Sequence, residues 1–451
     1  MLTKLLLKLL DLYPVRKTLF LPLKRQLARF EAATRRPQEV QERLLRRILR
    51  SQSETGFGRD HGFDSIRTTG DFRRQVPIAG YERFEPYIAR MRQGELNALV
   101  ADPVVHMFAL TSGTTAARKY IPVTRQYLAD YRRGWQMWGL KTFLTHPEVR
   151  FRPIVQLTSD WEEFHTAGGV PCGSITGLTA AMQKRWVRWM YCVPACTARI
   201  KNAAAKHYMA LRLSMPRRVG MVIAANPSTL VSLARAADQE KESLIRDIHD
   251  GTLSPRLAIP AEVRAAVASA LRPDPDRAHE LEAIIRRNGT LYPKDFWSAR
   301  PFLVGTWTGG SVRAYLRHFP QYFGDAPVRD IGLLASEGRM TIPLTDGTPS
   351  GVLDVTSHYF EFIPEEDGDA KQPTVLAAHE VEEGRNYFLV PTTAFGLYRY
   401  AIHDLVRITG FHHRTPLVEF LSKGAHFSSI TGEKLSEYQV TQAMEQVTQE
   451  L

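Results

Sequence analysis

Between residues 111 and 119 the chain concentrates groups able to hold an anion: Thr111, Ser112, Gly113, Thr114 and Thr115, followed by Lys119. Hydroxyls and backbone N–H groups of a tight loop can converge on one point, as phosphate oxygens require, and the lysine adds a mobile positive charge. Residues 105–110 are apolar and read as the strand entering this loop. The spacing is not G-x-x-x-x-G-K-[ST], and no G-x-G-x-x-G occurs, so neither a Walker A loop nor a dinucleotide fold has support. By residue type alone, such a cluster is equally a turn.

Three more residues stand out, each with a structural reading beside a chemical one. Glu337 could hold a hard metal ion, or pair with a lysine or arginine. Asp404 could orient a ligand's hydroxyls, or turn the chain beside His403. Arg399, between Tyr398 and Tyr400, could touch a ligand or stack on the rings.

The elements that must position these residues follow two patterns. From about 100 to 230, apolar runs alternate with helical stretches. Residues 152–158 and 219–224 read as strands, and Asn226 as the cap of a helix through residue 250. Such alternation indicates a layered α/β domain. After about 300 the chain is strand-rich: 302–306, 328–334, 351–355, 359–363, 374–379, 387–391, 398–408 and 417–421. The acidic stretch 364–373 reads as a solvated hairpin tip. Residues 1–55 read as helices with Pro14, Pro22 and Pro37 as breaks or first-turn residues, and the pattern turns helical again from 437.

Composition bounds the function. With 451 residues, 44% hydrophobic and 24% charged, the chain can form one large domain or two to three smaller ones. Cys172, Cys192 and Cys196 make no disulfide framework and fit a reducing cytoplasm. The net charge is +12, of which residues 1–50 carry +9 through thirteen Lys/Arg and four Asp/Glu. No stripe of base-stacking aromatics accompanies these charges, which ranks nucleic-acid binding last. Leucines at 2, 5, 6, 7, 9, 10 and 12 against Lys4, Lys8 and Asp11 predict an amphipathic helix too short to span a bilayer. It either packs on the protein's own body or, with residues 1–35, lies on an anionic membrane surface.

The segment from Thr111 to Lys119 resembles the phosphate-loop motif of adenylate-forming enzymes, [ST]-S-G-[ST]-[ST]-G-x-x-K. Other matches follow in order. Ala335, Ser336, Glu337 and Gly338 resemble the second motif, and Thr392 to Tyr400 running on to Asp404 resemble the third. Residues 422–437, with Gly432, Glu433 and Lys434, resemble the hinge before a small C-terminal domain. Within that superfamily, residues 76–82, 359–364, 396–400 and 406–411 are most similar to the auxin-responsive (Gretchen-Hagen-type) acyl acid amido synthetases. The likeness covers roughly residues 40–440.

The resemblance implies an α/β fold with a large N-terminal domain of layered α/β subdomains plus a smaller β-rich subdomain, the C-terminal lid domain being largely absent. Its boundaries are an N-terminal helical segment at 1–55, an ATP- and acyl-binding domain at 56–421, a hinge at 422–436 and the start of the lid at 437–451. It implies that Thr111, Ser112, Gly113, Thr114, Thr115, Ser336 and Lys423 bind ATP with Lys119, that Glu337 holds Mg2+, and that Asp404 grips the ribose. Lys119 and Glu337 would be the catalytic pair. A carboxylic acid and an amine, usually an amino acid, are the implied substrates, with no nucleic acid. Residues 167–174 lie where relatives line the acid-binding cleft, and Trp307, Thr308, Gly309 and Gly310 on the neighbouring strand end, although their glycines are equally turn glycines.

Three positions depart from the pattern: Ala116 and His403 where relatives prefer glycine, and Leu333 where many have an adenine-stacking tyrosine. The expected activity is a cytoplasmic ATP- and Mg2+-dependent ligase, with transfer to coenzyme A as its variant. The alternative is a non-catalytic nucleotide-binding or membrane-associated protein that keeps the fold.

Overall fold

The computed structural model describes residues 12–111, 118–183, 185–297, 301–424, 427–429 and 434–436. The leucine-rich run 1–11 and residues 437–451 lie outside them. Tyr13–Thr34 forms helix α1, with Pro22 carried on its exposed side instead of ending it. Phe20, Leu27 and Phe30 are buried at helical spacing and pack with Met137, Trp138 and Leu140 of the helix Arg125–Thr145. Gln26 Nε2 donates to the Arg133 carbonyl at 3.3 Å. From residue 13 onward this helix therefore packs on the protein's own body.

Pro37–Gln52 forms α2, with Pro37 in its first turn. Leu44, Leu45, Ile48 and Leu49 face the core while Arg43, Arg46, Arg47 and Arg50 face solvent. Two buried glutamines, Gln41 and Gln52, interrupt the apolar face, and the first is held on three sides. Gln41 Nε2 donates to the carbonyls of Val355 (2.8 Å) and His358 (2.7 Å), and its Oε1 accepts from Phe360 N at 2.7 Å. A buried amide so fully satisfied costs little, and it fastens α2 to one strand end.

Three main sheets follow. In the first, Val105–Thr111 pairs antiparallel with Lys119–Thr124, and Thr111 lies opposite Lys119. The second is fully parallel, in the order Ile154–Gln156, Met221–Ile223, Leu303–Thr306 and Val328–Asp330. Its strands are short and, Val328–Asp330 apart, mainly apolar, as expected of a parallel sheet. The third has seven strands, among them Tyr359–Pro364, Asn386–Thr392, Asp404–His412 and Thr415–Lys423. Its antiparallel register sets Asp404 opposite Lys423. The layered α/β half and the β-rich half match the expected architecture.

Some expected elements are interrupted. The helix capped by Asn226 stops at Gln239 and restarts as Lys241–Asp250, and the second piece lies against Pro275–Asn288. The expected strand 328–334 stops at Asp330 because Gly332 takes a φ of 94° and the Asp330 carboxylate accepts the Gly332 N–H at 2.6 Å. The expected strand 398–408 begins only at Asp404. Arg399 and His403, at φ 46° and 60°, hold the left-handed conformation that a strand cannot contain. Cys192 lies in a bend and Cys196 in the 3-10 turn Ala195–Arg199.

Arg399 is a structural clamp. Its Nε donates to Glu361 Oε2 at 2.8 Å, and its Nη1 donates to the carbonyls of Arg73 (3.0 Å) and Val76 (2.9 Å). Arg73 Nε meets the other Glu361 oxygen, also at 2.8 Å. Ala79 N donates to the Arg399 carbonyl at 3.2 Å, which locks residues 73–79 to the third sheet. The Glu361 side chain is fully buried, so losing Arg399 leaves one of its oxygens and the Arg73 and Val76 carbonyls without their donor, with only Arg73 still paired to the carboxylate. Arg399→Ala should destabilise the fold by about 3–5 kcal/mol in denaturant unfolding, whereas Arg36→Ala, an exposed pair with Glu39, should cost less than about 1 kcal/mol.

Candidate active site

A cleft of about 590 Å³ opens where the three sheets meet. It lies at the C-terminal ends of the parallel strands, beyond Thr306 and Asp330, where open α/β sheets bind ligands. Thr111, Lys119, Ser336, Glu337, Asp404 and Lys423 all line it. Ser112, Gly113, Thr114 and Thr115 lie outside the described residues, but both ends of their loop, Thr111 and Lys119, stand at the cleft.

Each lining group is held from behind. The turn bearing Ser336 and Glu337 rests on the helix Arg125–Thr145, whose first turn is capped by Thr124. Tyr127 Oη donates to the Ser336 carbonyl at 2.9 Å, and Ser336 Oγ to the Leu110 carbonyl at 3.3 Å. Gly338, at φ 123°, must be glycine: a Cβ there would lie 2.8 Å from His358 Nε2. Trp138 Nε1 donates to the Asp330 carbonyl at 2.8 Å. Lys119 Nζ reaches Tyr400 Oη at 3.3 Å and lies over the Tyr81 ring, 5.7 Å from its centre.

The electrostatics are those of carboxylates crowded together out of water. Burial pushes the Glu337 carboxyl up; Lys423 and Lys119 draw it down, and Asp404 adds to the rise. Burial likewise raises Asp404, against the pull of an ion pair with Lys423. Partial burial alone would lower the Lys423 ammonium, but Asp404 and Glu337 outweigh it and hold the group above its ordinary value. His403 is lowered, first by burial and then by Lys119 and Lys423. A buried carboxylate that gains from any added positive charge suits a divalent cation, and Glu337 is placed to be such a ligand.

The opposite wall is apolar, formed by Trp307, Val312, Leu333, Pro349 and Phe420. Trp307 is fixed by donating Nε1 to the Gly332 carbonyl at 2.9 Å. Gly309 and Gly310 let the loop after Leu303–Thr306 touch the neighbouring strand: a Cβ would fall 3.1 Å from the Phe420 carbonyl at the first and 3.0 Å from that of Leu421 at the second. Residues 167–174 do not line the cleft. Gly168 packs on the Gly94 backbone and Gly173 on Trp161, so these glycines serve close packing.

The sequence reading missed Asp330, Val312, Pro349 and Phe420. Only Asp330 carried a signal, as an acid inside the run 328–334 that reads as a strand. Its carboxylate accepts from Thr308 N (2.6 Å) and Thr308 Oγ1 (2.8 Å), and burial pushes it up to about 6.

Comparison with known proteins gives a consistent result. Residues 26–328 match the GH3 family N-terminal domain and residues 351–423 the GH3 family central domain. The chain is 27% identical over 434 residues to a jasmonoyl–L-amino acid synthetase of Nicotiana attenuata, covering 92% of this chain and 74% of that one. It is 26% identical over 455 residues to an indole-3-acetic acid-amido synthetase of Arabidopsis thaliana, covering 93% and 76%. A solved acyl acid amido synthetase, GH3.15, superposes with a TM-score of 0.81 at 21% identity, covering 92% and 73%. That likeness concerns the fold.

The buried His358 beneath Gly338 makes the site acid-sensitive. Burial lowers its pKa from 6.5 to about 4. The unfolded chain therefore takes up a proton near pH 6.5 that the folded one refuses until about pH 4, and stability drains away across that window as pH falls. Unfolding measured from pH 7 to 4 should show His358→Gln losing less stability than the native chain, the difference approaching about 1.4 kcal/mol per pH unit.

Proposed function

The chain belongs to the GH3 family, whose reaction is ATP-dependent adenylation of a carboxylic acid and conjugation of the acyl group to an amino acid, and we propose how its cleft divides that labour. One observation carries the proposal: six groups from three distant stretches of sequence, Thr111 with Lys119, Ser336 with Glu337, and Asp404 with Lys423, line one cleft.

In the first step a carboxylate oxygen of the acid attacks the α-phosphorus of ATP. A P–O bond forms, the bond to the bridging oxygen breaks, and pyrophosphate leaves. Both reactants are anionic, so the protein must hold them in line and offset the charge passing to pyrophosphate. Thr111, Lys119 and Ser336, with Ser112, Gly113, Thr114 and Thr115, are the phosphate-holding groups. Mg2+, when bound, supplies positive charge to phosphate oxygens, and Glu337 would hold it. Asp404 accepts from the ribose hydroxyls, and Lys423 offsets part of the cost of burying that carboxylate. The apolar wall at Trp307, Val312 and Phe420 takes the body of the acid and keeps water from the anhydride. In the second step the amine nitrogen attacks the acyl carbon, the anhydride C–O bond breaks, AMP departs and the amine proton passes to solvent. Residues 56–421 form the ATP- and acyl-binding unit in this reading.

Thermal unfolding with and without Mg·ATP tests it first. At about a hundred times its dissociation constant, the nucleotide should stabilise the native chain by roughly 2.7 kcal/mol, and Asp404→Ala should abolish the shift. Carboxylate-dependent pyrophosphate release and an amide formed without coenzyme A should follow. No shift at millimolar ATP would remove the ligase reading.

A second reading concerns location, the cytoplasm with peripheral attachment to an anionic membrane through residues 1–35. It is favoured by the exposed Lys17, Lys24, Arg25 and Arg29 of α1 beside the exposed arginines of α2. No described helix is long and apolar enough to cross a membrane. The full chain should sediment with phosphatidylserine vesicles at low salt and be released at about 0.5 M salt, whereas neutral vesicles should retain none.

A further inference from the structure

Far from the cleft, the tip of the hairpin between Asp404–His412 and Thr415–Lys423 meets α1. Three groups face one another there: the Glu31 carboxylate and the imidazoles of His412 and His413. Their ligand atoms all lie within 4.8 Å of one another. Glu31 Oε2 stands 2.6 Å from His412 Nε2 and 3.4 Å from His413 Nε2. The two rings are tilted against each other with centres 4.6 Å apart. We propose that these three side chains form a binding site for a first-row divalent transition metal such as zinc, which staples α1 to the hairpin.

The donor set selects that class of ion. Two imidazole nitrogens and one carboxylate oxygen suit zinc, cobalt or nickel, whereas magnesium and calcium prefer all-oxygen shells. The spacing fits too. With metal–ligand bonds of about 2.0–2.1 Å, tetrahedral ligands sit roughly 3.3–3.4 Å apart. The Glu31–His413 distance already has that value, and His412 needs to withdraw by less than an ångström. All three side chains are a little over a quarter exposed, which leaves a side for water as the fourth ligand.

The site is also pre-arranged. His413 is held at φ 56°, a conformation that turns the hairpin tip sharply and sends two consecutive side chains to one place. Beside it, Arg414 N and Thr415 Oγ1 both donate to the Thr34 carbonyl at 3.1 Å, which fixes the tip against the last turn of α1. Lys141 Nζ lies 3.5 Å from Glu31 Oε1, so this lysine engages the oxygen turned away from the imidazoles. It competes for the carboxylate's charge but does not occupy the metal's side.

The test is titration of the full chain with zinc chloride by calorimetry, and with cobalt chloride by visible absorption. One equivalent of zinc should bind, with the d–d bands of a four-coordinate cobalt site appearing in parallel. His412→Ala and His413→Ala should each weaken zinc at least about tenfold and bleach those bands. Should either variant fold poorly, Lys141→Met keeps all three ligands, removes the competing cation and should tighten zinc. No saturable binding at micromolar zinc would overturn the proposal. So would equal affinity in the native, His412→Ala and His413→Ala chains, because the zinc would then sit elsewhere, for example at Cys196.

Discussion

Two carboxylates, Glu337 and Asp404, are held nearly out of water in one cleft, and most of what surrounds them exists to make that tolerable. Buried charge is costly unless it is paired and hydrogen-bonded. Strand register supplies the pairing: Asp404 and Lys423 end neighbouring antiparallel strands and are therefore direct cross-strand partners. The same device sets Lys119 opposite Thr111 in another sheet. A one-residue slip of either pair would turn the lysine to the far face and leave the carboxylates without cations. The compensation is incomplete, since both carboxyls remain raised. The free protein thus carries an electrostatic debt that a cation-bearing ligand relieves on binding.

The rest of the fold can be read as bracing for this arrangement. The helix Arg125–Thr145 reaches the Ser336–Glu337 turn through Tyr127 and the Asp330 corner through Trp138. Glu361, gripped by Arg73 and Arg399, ties the first eighty residues to the sheet that carries Asp404. Stretches 76–82, 359–364 and 396–400, on which the family likeness rested, converge on this one clamp.

The parts of the molecule legible in sequence are those governed by neighbours along the chain. The apolar strands and the Asn226 cap are local patterns, and the structure carries them nearly as read; of the Thr111–Lys119 motif the described residues include only the two ends. Glu337 and Asp404 are different. An isolated acid in a strand-rich region has no local signature, and these two became readable only through the order of motifs around them. Tyr398, Tyr400 and Ile402 alternate as a strand would, yet Arg399 and His403 turn the chain into the left-handed region. Nothing in the alternation warns of that, because hydrogen bonds from the Arg399 N–H to Thr392 Oγ1 and from Gly424 N to the His403 carbonyl impose it. The role of Arg399, open between ligand contact and ring stacking, could be decided only once Glu361, 38 residues away, was seen beside it.

Gln41 has a consequence for how the chain comes into being. Its three hydrogen bonds go to residues 314 to 319 positions later. Until the ribosome delivers those partners, α2 has neither its amide clasp nor the sheet that covers its leucines. At about 5–20 residues per second, that interval lasts roughly 15–60 s. Throughout it the nascent chain carries an amphipathic, arginine-edged segment whose apolar face lacks that sheet. Synthesis of this protein thus leaves the amide clasp of α2 unmade until most of the chain has been translated.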